Sequence, residues 1–84
     1  MSYFVYLIGS YQNSKLITYV GYTNNLKKRL NLHNTGKGAK FTRGRTWKIL
    51  YTEKFQKKNK AISREYYIKK NRKLRKLIKE KFNK

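Results

Sequence analysis

The side chains of this chain that could do chemistry are two tyrosines, one arginine and one histidine. Tyr6 and Tyr19 each lie in a run of aromatic and β-branched residues, and Arg29 and His33 follow in a basic segment. A phenolate can act as a general base toward water, and a guanidinium can stabilise the extra negative charge of a phosphoryl transition state. The plainer alternatives are aromatic packing across two strands and a solvated arginine. For His33 the sequence favours neither of two interpretations, a packed side chain or a second proton-transfer group.

A tyrosine base needs a phenol whose pKa lies below its ordinary value of about 10. Neighbouring arginine or lysine side chains and a bound cation favour the phenolate. The chain has 23 Lys+Arg against 3 Asp+Glu, and its formal net charge is +20. We therefore expect this positive background to lower the pKa of Tyr6.

Carboxylates are the scarcest groups, because the chain has no aspartate and its 3 acidic residues are Glu53, Glu65 and Glu80. A two-metal nuclease needs several carboxylates around ions that lie about 4 Å apart, so the composition disfavours that class. With one histidine and no cysteine, His-rich and thiolate metal sites are also disfavoured. The usual Ser-His-Asp and Cys-His-Asp triads cannot be assembled without aspartate.

Glu65 is the carboxylate that stands out. It lies between Ala61 and Ile68 at helical spacing, on the face that should point inward, where a structural helix would usually carry an aliphatic residue. A functional carboxylate is favoured there over one that only pairs with one of the many cations. Glu53 and Glu80 are expected to form surface ion pairs that contribute little to stability.

Size and charge limit the class of protein. With 84 residues we expect one domain over 1–84, with a basic C-terminal helix or tail over 72–84. A charge of +20 in so short a chain favours nucleic acid as the partner over a merely solvated basic surface. The chain has no cysteine, no long apolar run and no basic signal-peptide segment, so we expect a cytoplasmic protein without a membrane partner.

Three strands are predicted to position these groups. Residues 3–9 and 16–22 are aromatic and β-branched runs separated by a polar connection of roughly six residues, which favours an antiparallel hairpin. Residues 47–55 alternate between two faces and form the third strand. Gly21 is predicted to make a tight corner between the second strand and the first helix.

Three helices complete the prediction. The first starts at an N-cap at Thr23 or Asn24 and is followed by a glycine-rich basic loop over 36–45, of a kind that often contacts phosphates. Residues 57–70 and the segment after Asn71 carry apolar residues at helical spacing. The predicted fold class is α+β, a small three-stranded antiparallel sheet flanked by helices in the order β-β-α-β-α-α.

Taken in order, these residues resemble the GIY-YIG nuclease superfamily along almost the whole chain. Tyr6, in Phe4-Val5-Tyr6, is similar to the first motif tyrosine, and Tyr19-Val20-Gly21 is similar to the second motif. Segments 25–29 and 64–70 are similar to those around the family's helix arginine and metal-binding glutamate. Segment 33–43 is similar to small stand-alone bacterial proteins related to the UvrC N-terminal domain and to structure-specific endonucleases.

The resemblance implies a GIY-YIG-like fold and metal-dependent hydrolysis of a nucleic-acid phosphodiester. It implies that Tyr6 is the general base, that Tyr19 orients water or metal, and that Arg29 stabilises the phosphate. Glu65 is implied to hold one divalent cation, Mg²⁺ with Mn²⁺ as an alternative. His33 matches a histidine found one turn after the arginine in some members.

The leading hypothesis is an endonuclease that acts on DNA rather than RNA, with branched or damaged DNA as candidate substrates. The expected phosphate contacts come from six basic residues, Lys27, Lys28, Lys37, Lys40, Arg43 and Arg45. The alternative is a non-catalytic nucleic-acid-binding module that retains the fold. A ribosome-associated basic protein would fit the charge but would leave an inward-facing Glu65 unexplained.

Overall fold

The computed structural model describes residues 1–82 and has the predicted α+β class and order of elements. The elements are β1 (Tyr3–Gln12), β2 (Lys15–Thr23), α1 (Leu26–Asn34), β3 (Lys48–Phe55), α2 (Lys58–Lys70) and α3 (Arg72–Phe82). A short 3₁₀ helix, Lys40–Thr42, interrupts the loop between α1 and β3. The last two positions of the predicted 72–84 segment lie outside the described residues. Among residues 1–82, no helix is long and apolar enough to cross a membrane.

The sheet is antiparallel throughout, and β1 is its central strand, in the order β2-β1-β3. The predicted six-residue connection between β1 and β2 is wrong, because both strands extend until only Asn13 and Ser14 join them. These two residues have φ angles of 52° and 68°. A two-residue turn with positive φ at both positions matches the twist of paired strands, so the hairpin closes tightly. Strand β2 is left at one edge of the sheet.

Strand β3 contains an irregularity that the strict alternation predicted for 47–55 did not include. Leu7 pairs with Tyr51, whereas the next residue of β1, Ile8, pairs with Ile49. Leu50 is therefore an extra residue, and such a bulge moves the following side chains to the opposite face. As a result, Ile49 and Tyr51 lie on opposite faces of the sheet, against the prediction that they share one.

The two faces of the sheet bury different side chains. On one face the strands pack against α2 and α3 in an apolar core made of Val5, Leu7, Val20, Ala61, Ile68 and Ile78. The other face is smaller and more aromatic, with buried Tyr6, Ile8 and Trp47 covered by Leu26 and Leu30 of α1. Tyr6 therefore belongs to a packed layer, and it is 3% exposed.

The N-cap of helix α1 lies one residue after Asn24, the later of the two predicted positions. The capping residue is Asn25, whose side chain accepts a hydrogen bond from the backbone N–H of Lys28 at 3.1 Å. Thr23 instead supports the cap, because its Oγ1 accepts from the Asn25 N–H at 3.1 Å. Gly36 follows the helix with φ of 78°, a conformation that favours glycine. These two ends determine where the α1 side chains face the sheet.

Glu53 does more than the surface ion pair that was expected. Its carboxylate accepts from Arg64 Nε at 2.7 Å and from Arg64 Nη2 at 2.9 Å, and the Tyr51 hydroxyl also donates to it. The Arg64 hydrogen bonds hold the pKa of Glu53 below its usual range. This two-pronged pair joins α2 to β3, so Glu53 has a structural role.

Candidate active site

An open cleft of about 450 Å³ brings together four of the five predicted catalytic residues. Tyr6, Tyr19, Arg29 and Glu65 all line it. The fifth, His33, is 1% exposed and hydrogen-bonded to Tyr6. The four lining residues come from β1, β2, α1 and α2, so the cleft depends on both faces of the sheet.

Gly21 explains how the Tyr6 ring reaches the cleft. The predicted tight corner at Gly21 is wrong, because this residue lies inside β2 and pairs directly with Tyr6. A Cβ atom at Gly21 would lie 2.3 Å from the Tyr6 hydroxyl oxygen and 2.5 Å from Cζ. Glycine in the second motif therefore leaves the space in which the phenol lies.

We expect Gly21→Ala to lower the free energy of unfolding by about 1–3 kcal/mol, because the new methyl group overpacks the Tyr6 ring. Urea denaturation of the two proteins measures the change. In a Tyr6→Leu background the same glycine substitution should cost less, since the phenol that it would meet is gone. If Gly21→Ala lowers the free energy of unfolding equally in both backgrounds, the Tyr6 ring is not the reason that residue 21 must be glycine.

The hydrogen bonds around His33 determine which of its nitrogens carries the proton. Thr42 Oγ1 donates its only proton to the carbonyl of Ala39 at 2.8 Å, so it can only accept from His33 Nδ1, 2.9 Å away. The Nδ1 atom therefore carries the proton, and Nε2 of a neutral imidazole is an acceptor. The Tyr6 hydroxyl, 2.8 Å from Nε2, donates to it. Tyr6, His33 and Thr42 thus form a directed chain of hydrogen bonds.

The loop after α1 is shaped around His33. A Cβ atom at Gly38 would lie 2.3 Å from His33 Nδ1, so a larger residue would displace the ring. The Trp47 indole donates to the carbonyl of Thr42 at 2.9 Å, and Asn34 makes two hydrogen bonds to the Trp47 backbone. Sequence reasoning attributed the glycine-rich loop to phosphate contacts and overlooked Thr42. Nothing in the sequence spacing marks Thr42, because the 3₁₀ turn brings it to His33.

The expected lowering of the Tyr6 pKa is wrong. Burial raises the pKa of the Tyr6 phenol well above its ordinary value; the charge of Arg29 opposes the rise, and Tyr19 and Glu65 add to it. Burial also lowers the pKa of His33, and the positive charge of Arg29 lowers it further. At neutral pH the pair therefore consists of a protonated phenol and a neutral imidazole that accepts from it.

Stability should fall as the pH is lowered below about 6.5, the ordinary pKa of an unfolded histidine. Because the pKa of folded His33 lies lower, the unfolded chain binds more protons between the two values, and protonation favours unfolding there. His33 is the chain's one histidine, and no other type of side chain in this sequence has an ordinary pKa between 5 and 7. Urea unfolding between pH 7 and pH 5 measures it, and a His33→Phe variant should lack this dependence. A wild-type midpoint that stays constant over this range would contradict the prediction.

Arg29 and Glu65 bring opposite charges to the cleft. Arg29 is exposed on α1, and within residues 1–82 it takes part in no ion pair. The Glu65 side chain is 19% exposed, and its Oε2 lies 3.9 Å from Nζ of Lys69, the limit of an ion pair. Lys58 also lines the cleft, although sequence reasoning did not select it. The guanidinium of Arg29 and the carboxylate of Glu65 are therefore both available to a ligand.

The donor groups of the cleft suit one hydrated divalent cation. Across residues 1–82, no three histidine or carboxylate side chains converge as a ready-made metal cluster. Mg²⁺ is commonly held by one or two carboxylates while it keeps several water ligands. Glu65 supplies one partly exposed carboxylate in a cleft that phenolic oxygens also line, so the residues fit such an ion.

The six basic residues predicted to contact phosphates lie outside this cleft. Lys27 and Lys28 are exposed on α1, and Lys37, Lys40 and Arg43 are exposed on the following loop. Arg45 is half-buried, with its guanidinium over the Phe41 ring and a hydrogen bond to Gln12. Five of the six predicted phosphate-binding residues are therefore exposed, and the sixth, Arg45, is held by contacts within the protein.

Comparison with known proteins identifies the family to which the chain belongs. A family model described as the GIY-YIG catalytic domain matches residues 2–79. A UPF0213 protein of Clostridium perfringens is 60% identical over 53 residues, which cover 62% of this chain and 57% of that protein. The UPF0213 protein YazA of Bacillus subtilis is 44% identical over 70 residues, which cover 82% of this chain and 68% of that protein.

The solution NMR structure of a UPF0213 protein from Bacillus halodurans is 35% identical, with a TM-score of 0.48 over 90% of this chain and 79% of that one. The alignments with a UPF0213 protein of Oceanobacillus iheyensis and with the Clostridium perfringens protein span 60% and 57% of those relatives. Because the family model matches nearly every described residue, the chain belongs to the GIY-YIG catalytic domain family.

Proposed function

We propose that this chain is an endonuclease that hydrolyses phosphodiester bonds of DNA with the help of one divalent cation. The observation that carries the proposal is the hydrogen-bonded chain of Tyr6, His33 and Thr42, which starts at the cleft that Arg29 and Glu65 also line. A buried tyrosine needs a hydrogen-bond partner in any case. The partner here is the neutral imidazole of His33, which can also take up the phenolic proton, whereas a backbone carbonyl could not. The hydrogen bonds from Tyr6 to His33 and from His33 to Thr42 therefore give the phenolic proton of Tyr6 a defined acceptor.

The raised pKa of Tyr6 determines how the phenol can act as a base. A free phenolate is disfavoured, so the proton taken from water must be matched by one that leaves Tyr6. As a water O–H bond breaks, its proton goes to Tyr6 Oη and the original phenolic proton goes to His33 Nε2. The water oxygen then attacks phosphorus, and the bond to the leaving oxygen breaks. The leaving oxygen takes a proton from solvent, and the proton on His33 Nε2 returns to Tyr6 Oη as that oxygen releases its own proton to solvent.

Thr42 is a positioning residue in this scheme, since it acts through His33. By accepting from Nδ1 it keeps Nε2 free to receive the phenolic proton, and it stabilises the imidazolium that results. The pKa of His33 is lowered by burial, so the ring is neutral and able to accept near neutral pH. Cleavage should therefore weaken in acid, where His33 is already protonated.

Three other residues would act on the phosphate and the water. Arg29, exposed at the cleft, would stabilise the added negative charge of the phosphoryl group. Tyr19 would orient the water, and Glu65 would hold the cation, with Mg²⁺ or Mn²⁺ as the candidates. When bound, that ion supplies charge neutralisation at the phosphate.

The test is a comparison of labelled branched DNA, duplex DNA and RNA of matched sequence, each incubated with Mg²⁺, Mn²⁺ or EDTA. We expect DNA cleavage with either metal, no cleavage in EDTA, and weaker or no cleavage of RNA. If no substrate is cut while binding persists and weakens steeply with salt, the chain is a nucleic-acid-binding module with the same fold. Preferential cleavage of RNA would overturn the choice of DNA.

A further inference from the structure

A second depression lies beside the cleft, along the open edge of β2. It encloses about 320 Å³, and its lining residues are Thr18, Tyr19, Val20, Phe41, Lys69 and Arg75. We call it the edge groove. Tyr19 lines both the cleft and the edge groove, so the two are neighbours. None of the six basic residues predicted to bind phosphate belongs to it.

One side of the edge groove is aromatic. Phe41 lies in the 3₁₀ turn with 49% of its surface exposed, which is unusual for a phenylalanine at a protein surface. Its ring stacks with that of Tyr19 at a centroid distance of 6.1 Å and an interplanar angle of 20°. Trp47 lies 6.3 Å from it, and the Arg45 guanidinium carbon lies 5.3 Å from the ring centroid. Phe41 is therefore held in place although half of it faces solvent.

The lining of the edge groove also includes two cations, Lys69 and Arg75. Lys69 lies in the last turn of α2. Arg75 of α3 donates from Nη1 to the carbonyl of Ile68 at 3.0 Å, which fixes its guanidinium near the end of α2. A groove lined by an aromatic surface and by two cations matches a nucleotide, whose base has an apolar face and whose phosphate is negative.

We propose that the edge groove binds an unpaired nucleotide of a DNA strand, next to the phosphodiester in the cleft. The base lies against the part of the Phe41 ring that Tyr19 and Arg45 leave exposed, and the phosphate lies between Lys69 and Arg75. A base within a duplex is stacked on both faces and cannot offer one to Phe41, whereas an unpaired base can. The inference rests on the proposed function and narrows its substrate to DNA that has an unpaired nucleotide beside the cut.

Binding measured in EDTA tests this inference without requiring cleavage. The probes are a fluorescent oligothymidine and a fluorescent duplex with the same number of phosphates, followed by anisotropy. Phe41→Leu keeps apolar volume but removes the aromatic face, and it should weaken oligothymidine binding about 5- to 150-fold while duplex binding stays unchanged. Phe41→Trp should retain the binding. Tyr66→Leu is the matched control, since Tyr66 is 62% exposed on α2 and lies outside the groove.

A second pair of variants, at Arg75 and Lys79, tests the cations of the edge groove. Arg75→Gln should weaken oligothymidine binding and reduce its salt dependence, whereas Lys79→Gln, elsewhere on α3, should weaken both probes equally and less. Urea denaturation of each variant checks that the fold is kept. The inference fails if Phe41→Leu binds oligothymidine as tightly as wild type, or if it weakens both probes alike. If the variants change oligothymidine binding as expected but the protein cuts no DNA, the inference about the edge groove stands. The proposed nuclease activity alone is then rejected.

Discussion

Glu65→Gln is expected to reduce DNA cleavage about 10³-fold or more while leaving the fold intact. Glutamine keeps the size of the side chain but removes the charge that would hold the cation. A cation at a phosphoryl oxygen contributes several kcal/mol to transition-state stabilisation, and each 1.36 kcal/mol corresponds to about a tenfold rate. Within residues 1–82, Glu65 makes one ion pair, at 3.9 Å, so little stability should be lost. Single-turnover cleavage, together with calorimetric titration of Mn²⁺, measures the loss.

The chain supplies two matched controls, because it has only three glutamates. Glu53→Gln should cost about 1–2 kcal/mol of stability by breaking the paired hydrogen bonds to Arg64, with cleavage by the folded protein unchanged. Glu80→Gln, exposed on α3, should change neither property. If Glu65→Gln cuts as fast as Glu80→Gln, Glu65 does not hold a catalytic cation.

Tyr6→Phe is expected to reduce cleavage by about 10²- to 10⁴-fold, the range that a positioned proton-transfer group contributes. The ring would remain over Gly21, but the oxygen that links the cleft to His33 would be gone. We also expect a stability loss of about 1–3 kcal/mol, because the buried Nε2 of His33 would lack its donor. Cleavage rates and urea midpoints, measured on the same preparations, separate the two effects.

A pH profile distinguishes a proton-transfer role for Tyr6 from a purely structural one. Wild-type cleavage should decline in acid as His33 becomes protonated, and the residual cleavage of Tyr6→Phe should lose that dependence. Tyr66→Phe, at an exposed tyrosine of α2, should behave as wild type. A residual Tyr6→Phe activity that keeps the wild-type acid limb would assign the titration to another group.

Local sequence patterns predicted the elements and the main residues of the cleft. Runs of aromatic and β-branched residues indicated the strands of Tyr6 and Tyr19, and spacing at period 3.6 indicated that Glu65 points inward from its helix. These signals are local, because a side chain's direction follows from its own strand or helix. The predicted order of elements was confirmed for the same reason.

What the sequence did not predict depends on contacts between distant residues or on burial. Thr42 reaches His33 only because a 3₁₀ turn folds back, and the bulge at Leu50 depends on how two strands pair. The pKa of Tyr6 shifts opposite to the expectation because burial acts at the phenol itself. Most of the +20 charge lies on an exposed surface, where salt screens charges more than about 8–10 Å apart. Composition alone gives neither the burial of the Tyr6 phenol nor the screening of the surface charges, so it could not predict the direction of the pKa shift.

Because β1 is the central strand of the sheet, the part of the protein that carries Tyr6 should be rigid, and adaptation to a substrate should occur elsewhere. Within residues 1–82, Tyr6 is carried by the strand that is hydrogen-bonded on both sides, so its backbone amide should exchange with deuterium only through global unfolding. The turn that carries Phe41 also carries buried Thr42, which holds His33, so opening of this turn would disturb the proposed proton relay. The proposed base and its relay would then stay fixed during turnover, and accommodation of different strand geometries would fall to the exposed side chains of the edge groove.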